Sequence, residues 1–203
     1  MKHAVAVLAC TLALAGCLGQ AFRSDADAPT RYRLDAPSAA AGGPALAQTI
    51  SVARPRAAAS LDTDRIAVTT PGHGFDYLVG ARWSDPAPQL LQSMLVAALA
   101  GDAHFAAAVA MPSRVATDYV LDVGLTAFEA RYAAEGAAPT VTVAFTANLL
   151  DARSGRRVAS VPVAASADAA RNDRGSVVAA FQQAASAAAR DAALAVAAQV
   201  PRG

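Results

Sequence analysis

The residues of this chain that could hold a metal, act as a nucleophile or take a covalent group are few. Among 203 residues there are 2 cysteines and 3 histidines. His73 stands in the turn-like run PGHG and His104 in a connector. Neither has a second histidine or a carboxylate at ligand spacing, so both read as surface histidines and no zinc site is expected. Asp62, Asp64 and Arg65 cluster in SLDTDRI. They read as a calcium-type carboxylate pair or as a turn in which aspartates cap backbone amides. The turn is favoured, because the further ligands and the glycine of a calcium loop are missing. No G-x-S-x-G elbow, S-x-x-K, H-E-x-x-H or phosphate-binding loop occurs. A Ser/His/Asp triad assembles in space and leaves no local signature. With His73 and His104 as the histidines beyond the first segment, the expected reading is still non-enzymatic, with no cofactor. The remaining candidate is Cys17.

Cys17 ends an apolar run. Met1, Lys2 and His3 make a short positive start, and Ala4–Ala15 follows with Thr11 as its one polar residue. At about 12 residues this run is well short of the roughly 20 that cross a bilayer as a helix. It fits the apolar region of a secretory signal peptide, predicted over residues 1–16. The sequence Leu14-Ala15-Gly16-Cys17 resembles the lipobox of bacterial lipoproteins at all four positions. The resemblance implies a diacylglyceryl group on the Cys17 sulfur, cleavage before it, and a fatty acyl chain (palmitate) on its new amino group. Each buried CH₂ contributes ~0.8 kcal/mol, and a single chain anchors only marginally. Several chains on one residue would hold the protein on a membrane without a spanning helix. Cys10 would leave with the signal, so no intramolecular disulfide is expected.

Lys2 is the sole lysine. Without it the 17 Lys+Arg fall level with the 16 Asp+Glu. A neutral chain with no basic block is a poor nucleic-acid binder. Residues 17–31 lack apolar periodicity and read as a lipidated N-terminus and flexible tether. Leu18–Arg31 could reach about 45–50 Å if extended. A single domain is predicted over 32–201.

Within that domain, strand alternation is frequent. RYRLDAP places Tyr32 and Leu34 on one face up to Pro37, and Ser38–Ala47 reads as a loop. TISVARP does the same with Ile50 and Val52. RIAVTTPGHGFDYLVGARW reads as a hairpin turning at Pro71–Gly74. WSDPAPQLLQSMLVAALAGD predicts a helix capped by Ser84 or Asp85, with Leu91, Met94, Leu95 and Ala98 inward and a stop at Gly101. HFAAAVAM is a short strand. In DYVLDVGLTAFEARY the inward phase slips from Leu125 to Phe128, which predicts a β-bulge near Thr126–Ala127. Val141–Leu149 and Val161–Ala165 form a second hairpin, and Pro162 marks an edge strand or a bulge. A long C-terminal helix turns Val177, Phe181, Ala184, Ala188, Ala192 and Ala195 inward and Gln182, Gln183, Ser186 and Arg190 outward. The expected fold is α+β, a mainly antiparallel sheet with two helices packed on one face. Trp83, the single tryptophan, reads as a packing residue at the helix start or as an exposed anchor for a partner protein.

The order of RYRLDAP, ISVARPRAAASLDTDRIAV, YLVGARWSDPAPQLLQSML (with Tyr77 and Trp83 leading into the helix), YVLDVGLTAFEA and LLDARSGRRVAS is similar to that of the ABC-type transport auxiliary lipoproteins, the group that includes the Pqi-type lipoprotein. The resemblance runs from about Thr30 to Val200. It implies an accessory subunit of an intermembrane lipid-transport system. Its partners would be a mammalian-cell-entry (MCE) domain protein and an ABC permease and ATPase. Its place would be the periplasmic face of the outer membrane, since Leu18 stands where an aspartate would resemble an inner-membrane retention signal. Self-assembly into a homo-oligomer is also open. Two other readings stay open: a lipid carrier holding its cargo between sheet and helices, and a solitary structural lipoprotein of the envelope.

Overall fold

The computed structural model describes residues 28–37, 46–72, 74–101 and 105–201. Cys17, Leu18, His3, His73 and His104 lie outside the described residues. The elements are β1 (Thr30–Tyr32), β2 (Leu46–Val52), β3 (Arg65–Thr70), β4 (Gly74–Trp83), α1 (Ala87–Gly101), β5 (Phe105–Ala110), β6 (Tyr119–Arg131), β7 (Thr140–Asp151), β8 (Arg157–Asp168) and α2 (Arg174–Ala197).

All eight strands join one sheet, and it is mixed rather than mainly antiparallel. The antiparallel pairs are β3–β4, β6–β7 and β7–β8, each a hairpin between consecutive strands. The pairs β1–β4, β2–β5, β2–β6 and β3–β6 are parallel. Alternation reports which face of a strand is buried and carries no information on the direction of its neighbour, so the sequence could not show these crossovers.

β6 organises the sheet. One edge pairs with β7 along its length. The other is divided: β2 runs parallel to Tyr119–Leu121 and β3 parallel to Glu129–Arg131, with a lone bridge from Arg56 to Gly124 between them. The sheet therefore forks into a β2–β5 prong and a β3–β4–β1 prong. The predicted bulge is present, since the β6–β7 register shifts between Leu125 and Ala127. It keeps Leu121, Val123 and Leu125 on the same buried side as Phe128 and Ala130. β8 pairs only with β7 among the described residues, which suits Pro162.

The helices touch each other; α1 lies over β5 and β2, and α2 over β7 and β8. On α2, Phe181, Ala188 and Ala192 are fully buried. Ala185, Ser186, Ala189 and Ala193 are buried too, so the covered face is wider than the predicted stripe. Ser186, expected on the solvent face, faces α2's crowded side and accepts a bond from Gln182 Nε2 at 2.9 Å. Gln182 also clips the chain after β1: Asp35 N–H donates to its Oε1 at 2.8 Å, and its Nε2 donates to the Asp35 carbonyl at 3.0 Å. Buried Gln92 of α1 does the same for the other prong, donating to the carbonyls of Val52 (2.9 Å) and Met111 (3.1 Å).

Three boundaries differ from expectation. β1 begins at Thr30, inside the stretch read as tether, and ends at Tyr32, before Leu34. β2 begins at Leu46, inside the expected loop. Neither Ser84 nor Asp85 caps α1 as expected. Asp85 accepts from Ser84 Oγ and from the Gln89 side chain, and the Ala87 amide donates to the Thr63 carbonyl at 3.1 Å. A tertiary partner does the work of the cap.

The N-cap of α2 is a side chain. Asp173 accepts from the Ser176 amide at 2.8 Å. That bond, with those from Arg171 and the Ser176 hydroxyl, holds its carboxyl down from 3.8 to about 2. The folded value lies below the unfolded one, so the cap's contribution is full above about pH 4 and is lost as pH falls through about 2. Asp173→Asn keeps a capping side chain but removes the proton. Thermal melts of this variant should depend less on pH across that window than those of the wild type. Ala188→Leu should overpack the helix–sheet contact and lower stability by about 1–3 kcal/mol, read as a reduced urea midpoint at unchanged slope.

Candidate functional site

Of the residues singled out in the sequence, Asp64, Arg65, Tyr77 and Trp83 come together where β3 meets β4. Trp83 is fully buried. Its ring meets Phe181 edge-on at 5.0 Å between centroids and Phe128 at 5.9 Å. Its Nε1 has no hydrogen-bond partner among the described residues. Tyr77 is half-buried and held from two sides. Its hydroxyl donates to the Ser60 carbonyl at 3.2 Å, and the Arg65 guanidinium lies 3.7 Å over its ring.

The carboxylates of SLDTDRI are taken up by arginines. Asp62 pairs with Arg54 through both oxygens, and those hydrogen bonds hold its carboxyl below the usual range. Asp64 accepts from Arg82 at 2.7 Å and lies 3.5 Å from Arg31. Asp64 thus ties β1 and β4 to the start of β3, while the Asp62–Arg54 pair closes the segment between β2 and β3. Among the described residues there is no cluster of three metal-ligating side chains.

Between Tyr77 and Trp83 the chain does something the alternation pattern did not reveal. Tyr77 pairs with Ala67 and Arg82 with Arg65, so Ile66 alone faces Leu78, Val79, Gly80 and Ala81. The excess chain bows outward as a wide bulge. Gly80 takes φ +70 there, a left-handed conformation that favours glycine. Arg174, from the first turn of α2, reaches over the bulge and donates from Nε to the Val79 carbonyl at 3.0 Å.

The bulge walls a groove of about 500 Å³, lined by Pro29, Arg65, Asp76, Tyr77, Arg82 and Arg174 together with the bulge residues. Asp76 is spent partly on its neighbour, accepting from the Tyr77 amide at 2.7 Å. Arg82 is paired with Asp64, whereas Arg65 and Arg174 have no carboxylate partner among the described residues. Val79 in the lining is 80% exposed, and Phe75, 44% exposed, stands next to the groove edge-on to Tyr77 at 5.3 Å. A second depression, lined by Tyr32, Leu78 and 172–175, shares Leu78 and Arg174 with the first. The groove combines cationic groups with apolar edges, and it holds no nucleophile–base pair among the described residues. Arg65 and Arg82 come from the two strands of one hairpin and Arg174 from the distant α2, and the one local signal was the glycine inside a strand pattern.

The family model for the ABC-type transport auxiliary lipoprotein component matches residues 32–193. The chain belongs to this family. The crystal structure of the protein XCC0632 from Xanthomonas campestris is 28% identical, with a TM-score of 0.74 over 84% of this chain and 96% of that one. A crystal structure of an uncharacterized protein, 18% identical with a TM-score of 0.64 over 84% of this chain and 99% of that one, shares the fold. No curated protein matches the chain. The matched segment thus takes in β2–β8, the last residue of β1 and most of α2. Among the described residues no helix is long and apolar enough to cross a membrane.

Gly80→Ala tests the bulge. An added Cβ would lie 2.6 Å from Arg174 Nη2 and would sit at φ +70. The left-handed backbone alone costs a non-glycine residue about 1–2 kcal/mol. The variant should lose about that much in urea unfolding while keeping the far-ultraviolet dichroism of the parent.

Proposed function

We propose that the chain is a non-enzymatic, lipid-anchored accessory component of an ABC-type intermembrane lipid-transport system. It docks the periplasm-spanning MCE protein at the periplasmic face of the outer membrane. The observation that carries this reading is the family match, which begins at residue 32, shortly after the run Leu14–Cys17. Residues 1–16 are the signal peptide, and Cys17 carries the diacylglyceryl group and an N-acyl chain. Leu18 is the sorting residue. The acyl chains fix the domain to one membrane, and the fold offers surfaces to a partner.

Of those surfaces the outer edge of β8 is the longest. Arg157–Asp168 pairs on one side only among the described residues, leaving a row of backbone donors and acceptors for an incoming strand. Pro162 lacks a donor and limits how much of that row can pair. The alanine face of α2 is buried against the sheet. That filled contact supports docking over a carrier that would store lipid between sheet and helices.

The test has two parts. Cys17→Ala should leave the chain unprocessed or soluble, and normal processing with outer-membrane fractionation of that variant would overturn the anchor. Affinity-purified wild-type chain should bring down the MCE-domain protein and the ABC components encoded beside it. Val158→Glu with Ala164→Glu, both at exposed β8 positions, should remove most of that material at unchanged melting temperature. Equal recovery would exclude the β8 edge, and no MCE protein with the wild type would exclude the reading.

A further inference from the structure

The groove at the β4 bulge points to a ligand that neither the family nor the docking role assigns. We propose that it holds the phosphate of an anionic phospholipid head group, presented by the same membrane that carries the acyl chains on Cys17. The proposal rests on the lipid-anchored reading given above.

Charge complementarity is the first argument. Arg65, Arg82 and Arg174 face the groove against Asp76 as its one lining carboxylate. Arg82 is engaged by Asp64, but Arg65 and Arg174 are not engaged by any carboxylate among the described residues. Arg174 spends Nε on the Val79 carbonyl, which fixes the plane of its guanidinium and leaves both terminal nitrogens to donate. A planar guanidinium presented this way suits paired hydrogen bonds to phosphate oxygens. Arg65 is steadied by the Tyr77 ring. Asp76 lies where it can accept from a head-group hydroxyl.

The rim supplies the second argument. Val79 and Phe75 are exposed apolar side chains beside a cationic groove. A soluble anion would gain nothing from them. At a bilayer surface they would enter the acyl boundary while the arginines meet phosphate, the same division of labour seen in interfacial helices.

Chain length is the third. Pro29 lines the groove, so the chain leading from Cys17 enters the domain at this site. Segment 17–29 spans at most about 40–45 Å in any conformation. The anchored membrane therefore holds its head groups at high effective concentration near the arginines, and a weak site is enough.

The full mature chain, with the mass of its N-terminal peptide measured, is placed in nanodiscs of phosphatidylcholine alone or of phosphatidylcholine mixed equally with phosphatidylglycerol. Amide hydrogen exchange is followed over 74–82. The expected result is slower exchange in the anionic discs, with protection falling about fivefold for each arginine removed in Arg65→Gln and Arg174→Gln. Arg174→Lys should keep most of it, and unchanged exchange over 90–99 shows that the variants are folded. Phe75→Ser with Val79→Ser, at exposed positions, tests the rim without touching the arginines and should also reduce protection. Equal exchange in the two lipids overturns the proposal. So does equal protection by inorganic phosphate added to phosphatidylcholine discs, which would mark a site for free anions. If mass spectrometry finds Cys17 unmodified, the anchor reading fails by itself. The groove is then judged by sedimentation of the same chain with phosphatidylcholine–phosphatidylglycerol vesicles: binding lost in both arginine variants supports it, and no binding overturns it.

Discussion

The burial of Trp83 is the constraint from which the rest of this fold can be derived. Its indole is enclosed between Phe128 of β6 and Phe181 of α2, and its amide donates to the Asp64 carbonyl at 2.7 Å. Edge-on aromatic contacts of this kind are worth about 0.5–1.5 kcal/mol each beyond the area they bury. The end of β4 is therefore pinned to the centre of the sheet and to the long helix at once. Tyr77, at the other end of the same stretch, is pinned by Ser60 and by its pairing with Ala67. More chain lies between these two points than β3 can match. The surplus has to leave the ladder, and Gly80 is the residue that lets it turn. The groove follows from two fixed aromatics and a mismatch in length.

The forked sheet places a second demand on the packing. A strand edge shared by β2 and β3 leaves a gap near Gly124 that only the Arg56 bridge crosses. Each prong is secured by a glutamine from a helix: Gln92 binds the ends of β2 and β5, and Gln182 binds the segment leaving β1. Gln92 adds a helix tie to the Val52 carbonyl, which also accepts from the Met111 amide, and Gln182 holds an exposed stretch of backbone at Asp35. Such contacts require the helices to come close. Alanine on the inner face of α2 permits it, which is why a helix poor in large side chains can still form the roof of the core.

Strand existence was legible in the sequence because Leu121–Leu125, Phe128–Ala130 and Val141–Leu149 alternate, and even the bulge near Ala127 shows as a slip of phase. Strand direction was not legible, since parallel and antiparallel neighbours bury the same alternate residues. Capping was read correctly as a need at the start of α1, but its solution was tertiary, from Thr63. The Asp62–Asp64 cluster was visible, while its partners Arg54, Arg82 and Arg31 come together only through strand pairing. The groove was hidden for the same reason. Arg65, Arg82 and Arg174 have no common motif, and the register between Tyr77 and Trp83 is what brings them to one wall.

The position of β1 links these observations to the membrane. A strand of three residues contributes little by itself, yet its parallel pairing with Ala81, Arg82 and Trp83 lays the incoming chain directly beside the pinned end of β4. Arg31 reaches Asp64, and the Ser84 amide donates to the Tyr32 carbonyl at 2.6 Å. A chain held at Cys17 would thus transmit any pull to the fully buried Trp83 cluster and would spare the hairpin tip near Gly74. The groove lies beside this entry point, while β8 lies at the far edge of the sheet with its open side away from β1. With an anchor at Cys17, the proposed docking role would have the membrane and the partner protein approach from different sides, the chain entering at one edge and a free strand standing at the other.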